Sequence, residues 1–507
     1  MRRHTVPFLP RRFQALGDFF QDAPKLLPLM AAGVTGYYLG KSIPVMQLPL
    51  RLYLVFIGGA FMLFYTWKTG PFPGLLLAML LVWTQHQYFN YPFIQPVLFE
   101  GPPPEVLVYT AFFIFLLKRR SVSAVDVPYL KPLLVFVLYS IALFLFGIAP
   151  DRHMSLLALR LCVIAPVLGY VLSVITLKNK KEIEMLVSVF LLGSIVLSVL
   201  SVAAYAGWFD IAEVDLNVAG DFADRFYAPY EIPYLGYLVL GGNNTVLFSS
   251  CAIAVCMGAL FYRKGAGMRV AALFCLLANF SVLVISGSRM PFLAVFVSGM
   301  AIVSMGEGKA GKAFLRYALR ILVILTGLTS TYLLLNRMGF VSDEVSERLA
   351  SILPGIVSPV EYLKDTGGER YFIWQQIVPA LMHNPLGTGF MESFAPAGGA
   401  DVGPHSQYLF LLLGSGIAGT AAFIFFLVSC MRRLFRSCKE GGSGMKWVAA
   451  GAGGSIVVWL VNSLSIHSFV APGADIMLLV ICGAGLAALR TGKGPENASG
   501  DVRVQEE

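Results

Sequence analysis

An all-α, polytopic integral membrane protein with about 12–14 transmembrane helices and one large outward-facing loop is the fold class this sequence predicts. Three observations carry it: an extremely apolar composition, apolar runs of spanning length, and basic clusters that recur in alternate connections. Of the 507 residues, 57% are hydrophobic and 13% charged, with a mean hydropathy of +0.72. A water-soluble domain carries about 25% charged residues, so this chain belongs in lipid.

Runs such as Leu133 to Phe146, Met185 to Ala206 and Ile321 to Leu335 reach or approach the roughly 20 apolar residues that a spanning helix needs. A transmembrane β-barrel would alternate polar and apolar residues in segments of about 10, a pattern absent here. Candidate spans lie near 26–40, 50–67, 72–88, 105–117, 130–148, 154–176, 184–207, 239–262, 270–287, 291–306, 317–335, 406–431, 447–466 and 474–489. The first and fourth are short for spanning helices.

With a cytoplasmic N-terminus, alternate connections carry Lys118-Arg119-Arg120, Lys178 to Lys181, Arg263-Lys264 with Arg269, Lys309 to Arg320, Arg432 to Lys446, and Arg490 to Lys493. Short cytoplasmic loops hold the excess of Lys and Arg, so these connections face the cytoplasm. The longest of the opposite connections, about Asn336 to Pro404, mixes eight carboxylates with isolated cations and faces outward. The chain then divides into a basic cytoplasmic tail (1–25), an N-terminal transmembrane bundle (26–335), the large loop (336–404), C-terminal helices (405–490) and a polar cytoplasmic tail (491–507). The basic first 25 residues lack a small-residue cleavage site and read as a retained tail. No internal repeat is evident.

The net charge of +9 does not point to nucleic acid, because the cations are dispersed between apolar runs instead of sharing one face. The seven cysteines lie in apolar stretches or cytoplasm-assigned connections without a CxxC pair, so neither a disulfide framework nor a zinc site is expected. A second outer loop, Trp208 to about Leu238, combines acidic residues with Tyr227, Tyr230, Tyr234 and Tyr237. That composition suits an interfacial tyrosine belt or aromatic platforms for sugars.

Three features on the outward side can carry chemistry. The first is the hairpin Gly287-Ser288-Arg289-Met290-Pro291, whose guanidinium sits at the membrane boundary. Its planar fork of donors matches phosphate oxygens, although a snorkelling anchor has the same appearance. The second is Arg160, roughly two turns into the membrane from Asp151. A cation at that depth faces a polar cavity or pairs with an anion, so a substrate cavity and a structural ion pair are both open readings. The third is the large loop with its flanks: Glu369-Arg370-Tyr371-Phe372-Ile373-Trp374, the turn His383-Asn384-Pro385-Leu386-Gly387-Thr388-Gly389-Phe390, and the helix start Pro404-His405-Ser406-Gln407-Tyr408-Leu409. His383 reads as part of the turn; Glu369, His467 and Asp475 are weaker candidates.

The order of these motifs over roughly residues 270–430 resembles the bacterial O-antigen ligase and polymerase family: the Ser-Arg hairpin, the Arg- and Trp-bearing segment, the NPLGTGF turn, and the PHSQYL helix start followed by Gly414, Gly416 and Gly419. The resemblance implies a metal-independent, all-helical glycosyltransferase of the bacterial inner membrane, with both termini cytoplasmic and the large loop periplasmic. Its donor would be an undecaprenyl-diphosphate-linked glycan and its acceptor a sugar hydroxyl, on another glycan chain or on lipid A core. No cofactor, metal or nucleic acid is implied. By motif position Arg289 and Arg370 inherit diphosphate binding and His405 serves the acceptor, with Arg160 carried over as a further substrate-binding arginine. Ser406 stands where that family usually has Asn, and a serine there can cap the helix.

The chemistry agrees with the residue types. Transfer from a glycosyl diphosphate builds charge on the leaving group while the acceptor oxygen loses a proton, so fixed cations and a base are needed. Polymerisation of exopolysaccharide or O-antigen repeat units is slightly preferred over ligation to lipid A core. A lipid-linked oligosaccharide flippase is the alternative from another class, but the paired halves and midplane charges of many transporters are not evident.

Overall fold

The computed structural model describes residues 64–68, 70–81, 103–118, 127–146, 152–205, 230–232, 236–238, 243–263, 265–286, 289–304, 330–334, 336–337, 375, 377–379, 381–390, 406–439, 445–464 and 472–491. Its principal helices are α1 (Pro71–Leu81), α2 (Pro103–Lys118), α3 (Leu130–Phe146), α4 (Arg152–Leu159), α5 (Ala165–Thr176), α6 (Lys180–Tyr205), α7 (Asn243–Tyr262), α8 (Ala266–Ser286), α9 (Arg289–Ser304), α10 (Gln407–Lys439), α11 (Lys446–Asn462) and α12 (Pro472–Thr491). Among the described residues, five helices are long and apolar enough to cross a membrane, and shorter apolar helices accompany them. The protein is therefore an all-α polytopic membrane protein, as composition predicts. One small departure is a two-stranded antiparallel ribbon between α6 and α7, β1 (Tyr230–Ile232) with β2 (Gly236–Leu238), paired in the register Glu231 to Tyr237.

The small residues of α11 explain the arrangement of the core. Lipid tails are as apolar as the side chains they meet, so helices in a membrane associate where small residues let backbones approach. The run Ala449-Ala450-Gly451-Ala452-Gly453-Gly454-Ser455 makes α11 such a surface, and it packs against α7, α9, α10 and α12. Contact with α7 is the tightest: a Cβ added to Gly258 would lie 2.5 Å from the Trp447 carbonyl oxygen, and one on Gly451 would lie 2.7 Å from the Cα of Val255. Hydroxyls finish the seam, with Ser455 donating to the Cys251 carbonyl at 3.3 Å and Ser298 of α9 donating to the Gly454 carbonyl at 3.0 Å. Further out, α5 packs on α12, α3 on α10, and α6 on α8. Between α6 and α8, the buried Asn279 amide donates to Ser194 at 3.0 Å, and its oxygen accepts from Ser198 at 3.3 Å.

The described helix ends sort by charge. At one end Arg263 pairs with Glu184 and lies over the Trp447 ring, Arg490 donates to the Val174 carbonyl, and Asn179 with Glu182 forms a reciprocal cap at the start of α6. The basic connections named above that adjoin described helices all meet this end. Arg432, Arg433 and Arg436 belong there too, but they are helical: α10 continues to Lys439 where the sequence suggests a loop from Arg432. The opposite end holds Glu105, Arg160, the backbone of Arg289, Ser406, Ser463 and Asp475.

Candidate functional site

At the end opposite the basic loops, the start of α10 is interrupted, and its sequence says why. Gly416 takes φ 61° and ψ −172° within the helix, a left-handed backbone that a side chain rarely tolerates. The interruption separates the Leu413 carbonyl from the Ile417 amide, which a continuous α-helix would join. Both groups are re-paired by the Asn384–Thr388 turn. Ile417 N–H donates to the Pro385 carbonyl at 3.0 Å, and Thr388 N–H donates to the Leu413 carbonyl at 2.8 Å. The turn thus takes the place of one helical hydrogen bond.

This approach is backbone against backbone. A Cβ on Gly416 would fall 2.2 Å from the Leu386 carbonyl oxygen, and one on Gly387, at φ +88°, would fall 2.5 Å from the Gly416 nitrogen. Phe390, which ends the turn, is buried beside Phe410 and rests where a side chain on Gly414 would be. A third wall comes from α3, whose Tyr139 hydroxyl donates to the Leu386 carbonyl at 2.9 Å. The Tyr139 ring also lies against Gly419. The glycines of the turn and of the helix, widely separated in sequence, therefore form one lock.

Helix α10 begins against the end of α11. Gln407 N–H donates to the Ser463 carbonyl at 2.8 Å, the Ser406 hydroxyl donates to the same oxygen at 3.1 Å, and the Tyr408 hydroxyl donates to the Leu460 carbonyl at 2.6 Å. Ser406, a capping residue by its position, directs its hydroxyl across to α11. Asp475, at the start of α12, accepts from the Trp459 indole N–H at 2.9 Å and is buried. His383 belongs to the turn segment, with Nδ1 2.8 Å from the Pro379 carbonyl oxygen.

Arg160 opens a π-helical turn, Arg160–Ile164, between α4 and α5. Pro166 supplies a reason: it has no N–H and its ring crowds the carbonyl four residues back, so the ladder there has to widen. The Arg160 guanidinium grips Glu105 of α2 through two parallel bonds, Nε to Oε1 at 3.0 Å and Nη2 to Oε2 at 2.9 Å. Tyr109, one turn along α2, donates to the Arg160 carbonyl at 3.4 Å. The Glu105 carboxylate is fully buried and Arg160 is 21% exposed. Of the two readings open for Arg160, the ion pair is thus present. Its carboxylate partner, at the head of an apolar run, was detectable in sequence as a charge inside a span.

The other predicted site residues are placed less completely. Arg289 heads α9, so its backbone lies at the same end of the bundle as Gln407 and Arg160; its side chain, with Arg370, His405, Glu369 and His467, lies outside the described residues. Sequence reasoning missed Glu105, Tyr109 and Tyr139. For Tyr139 no signal existed, since a tyrosine in an apolar helix is common and its partner is 247 residues away.

Residues 271–424 match the family model described as O-antigen ligase, an interval that takes in most of α8, the hairpin at Arg289, the turn and the interrupted start of α10. No curated protein matches the chain.

Proposed function

We propose that this membrane protein, whose residues 271–424 match the O-antigen ligase family model, is a glycosyltransferase using an undecaprenyl-diphosphate-linked glycan as donor at the periplasmic face of the bacterial inner membrane. The observation that carries the reading is the family match over the interval that bears Arg289, Arg370 and His405. It is supported by the common end of the bundle at which the backbone of Arg289 and the start of α10 lie.

In this reading the acceptor hydroxyl attacks the anomeric carbon. The new C–O bond forms as the bond from that carbon to the diphosphate breaks, the hydroxyl proton passes to His405, and the bonding pair leaves on the diphosphate. Arg289 and Arg370 stabilise the departing charge in a water-poor site. Arg160 is the further substrate-binding arginine, oriented by Glu105. Permanent guanidinium charge performs the task that a divalent ion performs elsewhere, so the reaction is proposed as metal-independent. Polymerisation of repeat units for exopolysaccharide or O-antigen is preferred over ligation to lipid A core, with both termini cytoplasmic.

The test is incubation of the purified, reconstituted protein with a lipid-linked repeat unit, alone and with lipid A core. Longer lipid-linked chains without core identify a polymerase, and a core adduct identifies a ligase. Neither product, with labelled lipid crossing the bilayer, identifies a flippase and overturns the proposal.

A further inference from the structure

The sequence assigns residues 336–404 to an outward-facing loop, yet residues 377–379 and 381–390 are held against the membrane-spanning part of α10. Residues 377–379 and 381–383 are helical, and Ile377 and Leu381 pack on Leu409 and Leu413. Depth follows from the far end of α10. Counting back from Arg432, the first of its terminal arginines, a hydrocarbon core of about 30 Å at 1.5 Å per residue takes up roughly 20 residues and reaches about residue 412. Leu413 and Ile417, the two points to which the turn is bonded, fall at or inside that border.

The exposed surface matches. Val378, Met382 and Leu386, spaced four residues apart, are 48%, 79% and 67% exposed. The bond from Ile417 N–H to Pro385 sets Leu386 beside Ile417, which is 61% exposed and begins the outer face of α10 that continues to Phe425, 62% exposed. An apolar stripe thus runs unbroken from the turn segment onto the lipid-facing side of a spanning helix. In water such a stripe would be costly; in lipid it is ordinary.

Backbone polar groups give an independent argument. Irregular backbone at membrane depth is tolerated only where protein satisfies its hydrogen bonds. Three successive carbonyls of the turn are each paired: Asn384 to Gly387 N–H at 3.0 Å, Pro385 to Ile417 N–H at 3.0 Å, and Leu386 to the Tyr139 hydroxyl at 2.9 Å. Pro385 contributes no donor that needs a partner. Water would have satisfied these groups without such provision. His383 and Asn384 are also exposed, which sets the segment at the headgroup border instead of the midplane.

We propose that residues 377–379 and 381–390 belong to a membrane-embedded segment whose Val378–Met382–Leu386 stripe is covered by phospholipid acyl chains of the leaflet that α10 enters at Gln407. In the sequence this segment divides the large loop between Arg370 and His405. The inference rests on the spanning of α10 and not on the proposed transferase activity.

Single variants Met382→Cys and Leu386→Cys, labelled with the fluorophore NBD in the full chain and reconstituted into phospholipid vesicles, test it; the seven native cysteines are buried and the unlabelled-position background is measured on the parent protein. Phe425→Cys serves as the lipid reference and Lys439→Cys as the aqueous one. The expected result is quenching by phospholipids brominated high on the acyl chain at least as strong as at Phe425→Cys, with iodide quenching several-fold weaker than at Lys439→Cys. Iodide quenching equal to the aqueous reference overturns the proposal. So does protection from both quenchers, which would mean that a second copy of the chain covers the stripe.

Discussion

Gly416 and Leu386 are in backbone contact, so close that a methyl group on the glycine would fall 2.2 Å from the leucine carbonyl oxygen. Gly416→Ala therefore meets two penalties, a left-handed φ and a displaced turn. Strain of that kind is on the order of 1–3 kcal/mol before the turn moves. The expected outcome is a lowered melting temperature and a loss of glycan product of about tenfold or more, the factor that corresponds to roughly 1.4 kcal/mol against the competent state. Thermal unfolding in detergent and the lipid-linked assay check both. Normal values for both would mean that the turn does not need its seat on α10.

Tyr139→Phe removes the hydroxyl that serves the Leu386 carbonyl and keeps the ring that rests on Gly419. The net loss for one such bond is about 1 kcal/mol. Membrane insertion should be unchanged and stability slightly lower, while Tyr139→Ala, which also empties the ring's place, should be distinctly worse. Equal behaviour of the two variants would assign the whole effect to the hydroxyl.

Glu105 and Arg160 lend themselves to a double-mutant cycle. Removing one partner of a buried pair strands the other charge and costs roughly 3–5 kcal/mol; because Arg160 is a fifth exposed, the lower end is expected. Glu105→Gln and Arg160→Met should each lower the melting temperature, and the double variant should recover most of the loss. Activity then separates the two roles of Arg160. A recovered fold with normal product leaves Arg160 as an ion-pair residue only, whereas a recovered fold without product supports contact with substrate.

Arg289→Ala and His405→Ala should abolish glycan assembly while the protein still inserts into the membrane. Proton transfer by a positioned side chain contributes about 10²–10⁴-fold, so loss of His405 alone should bring product close to background. Product at the parent level from both variants would end the transferase reading.

The sequence by itself determined the class and the recurrence of basic connections between apolar runs, because the membrane imposes length and polarity on each segment separately. The family motifs too were legible in order. Hydropathy counts residues and has no term for contact between distant ones, so the interruption at Gly416 was invisible as such: α10 reads as a single apolar run. Only the fold shows that the glycines of the NPLGTGF turn and those after the PHSQYL start are two halves of one backbone contact. The partner of Arg160 was likewise decided in three dimensions, since any carboxylate at that end of the bundle would satisfy the sequence, and the seating of α2 beside the π-turn selects Glu105. Local chemistry sets what each segment is; the depth at which segments meet, and hence which polar groups must find one another away from water, is a property of the assembled bundle.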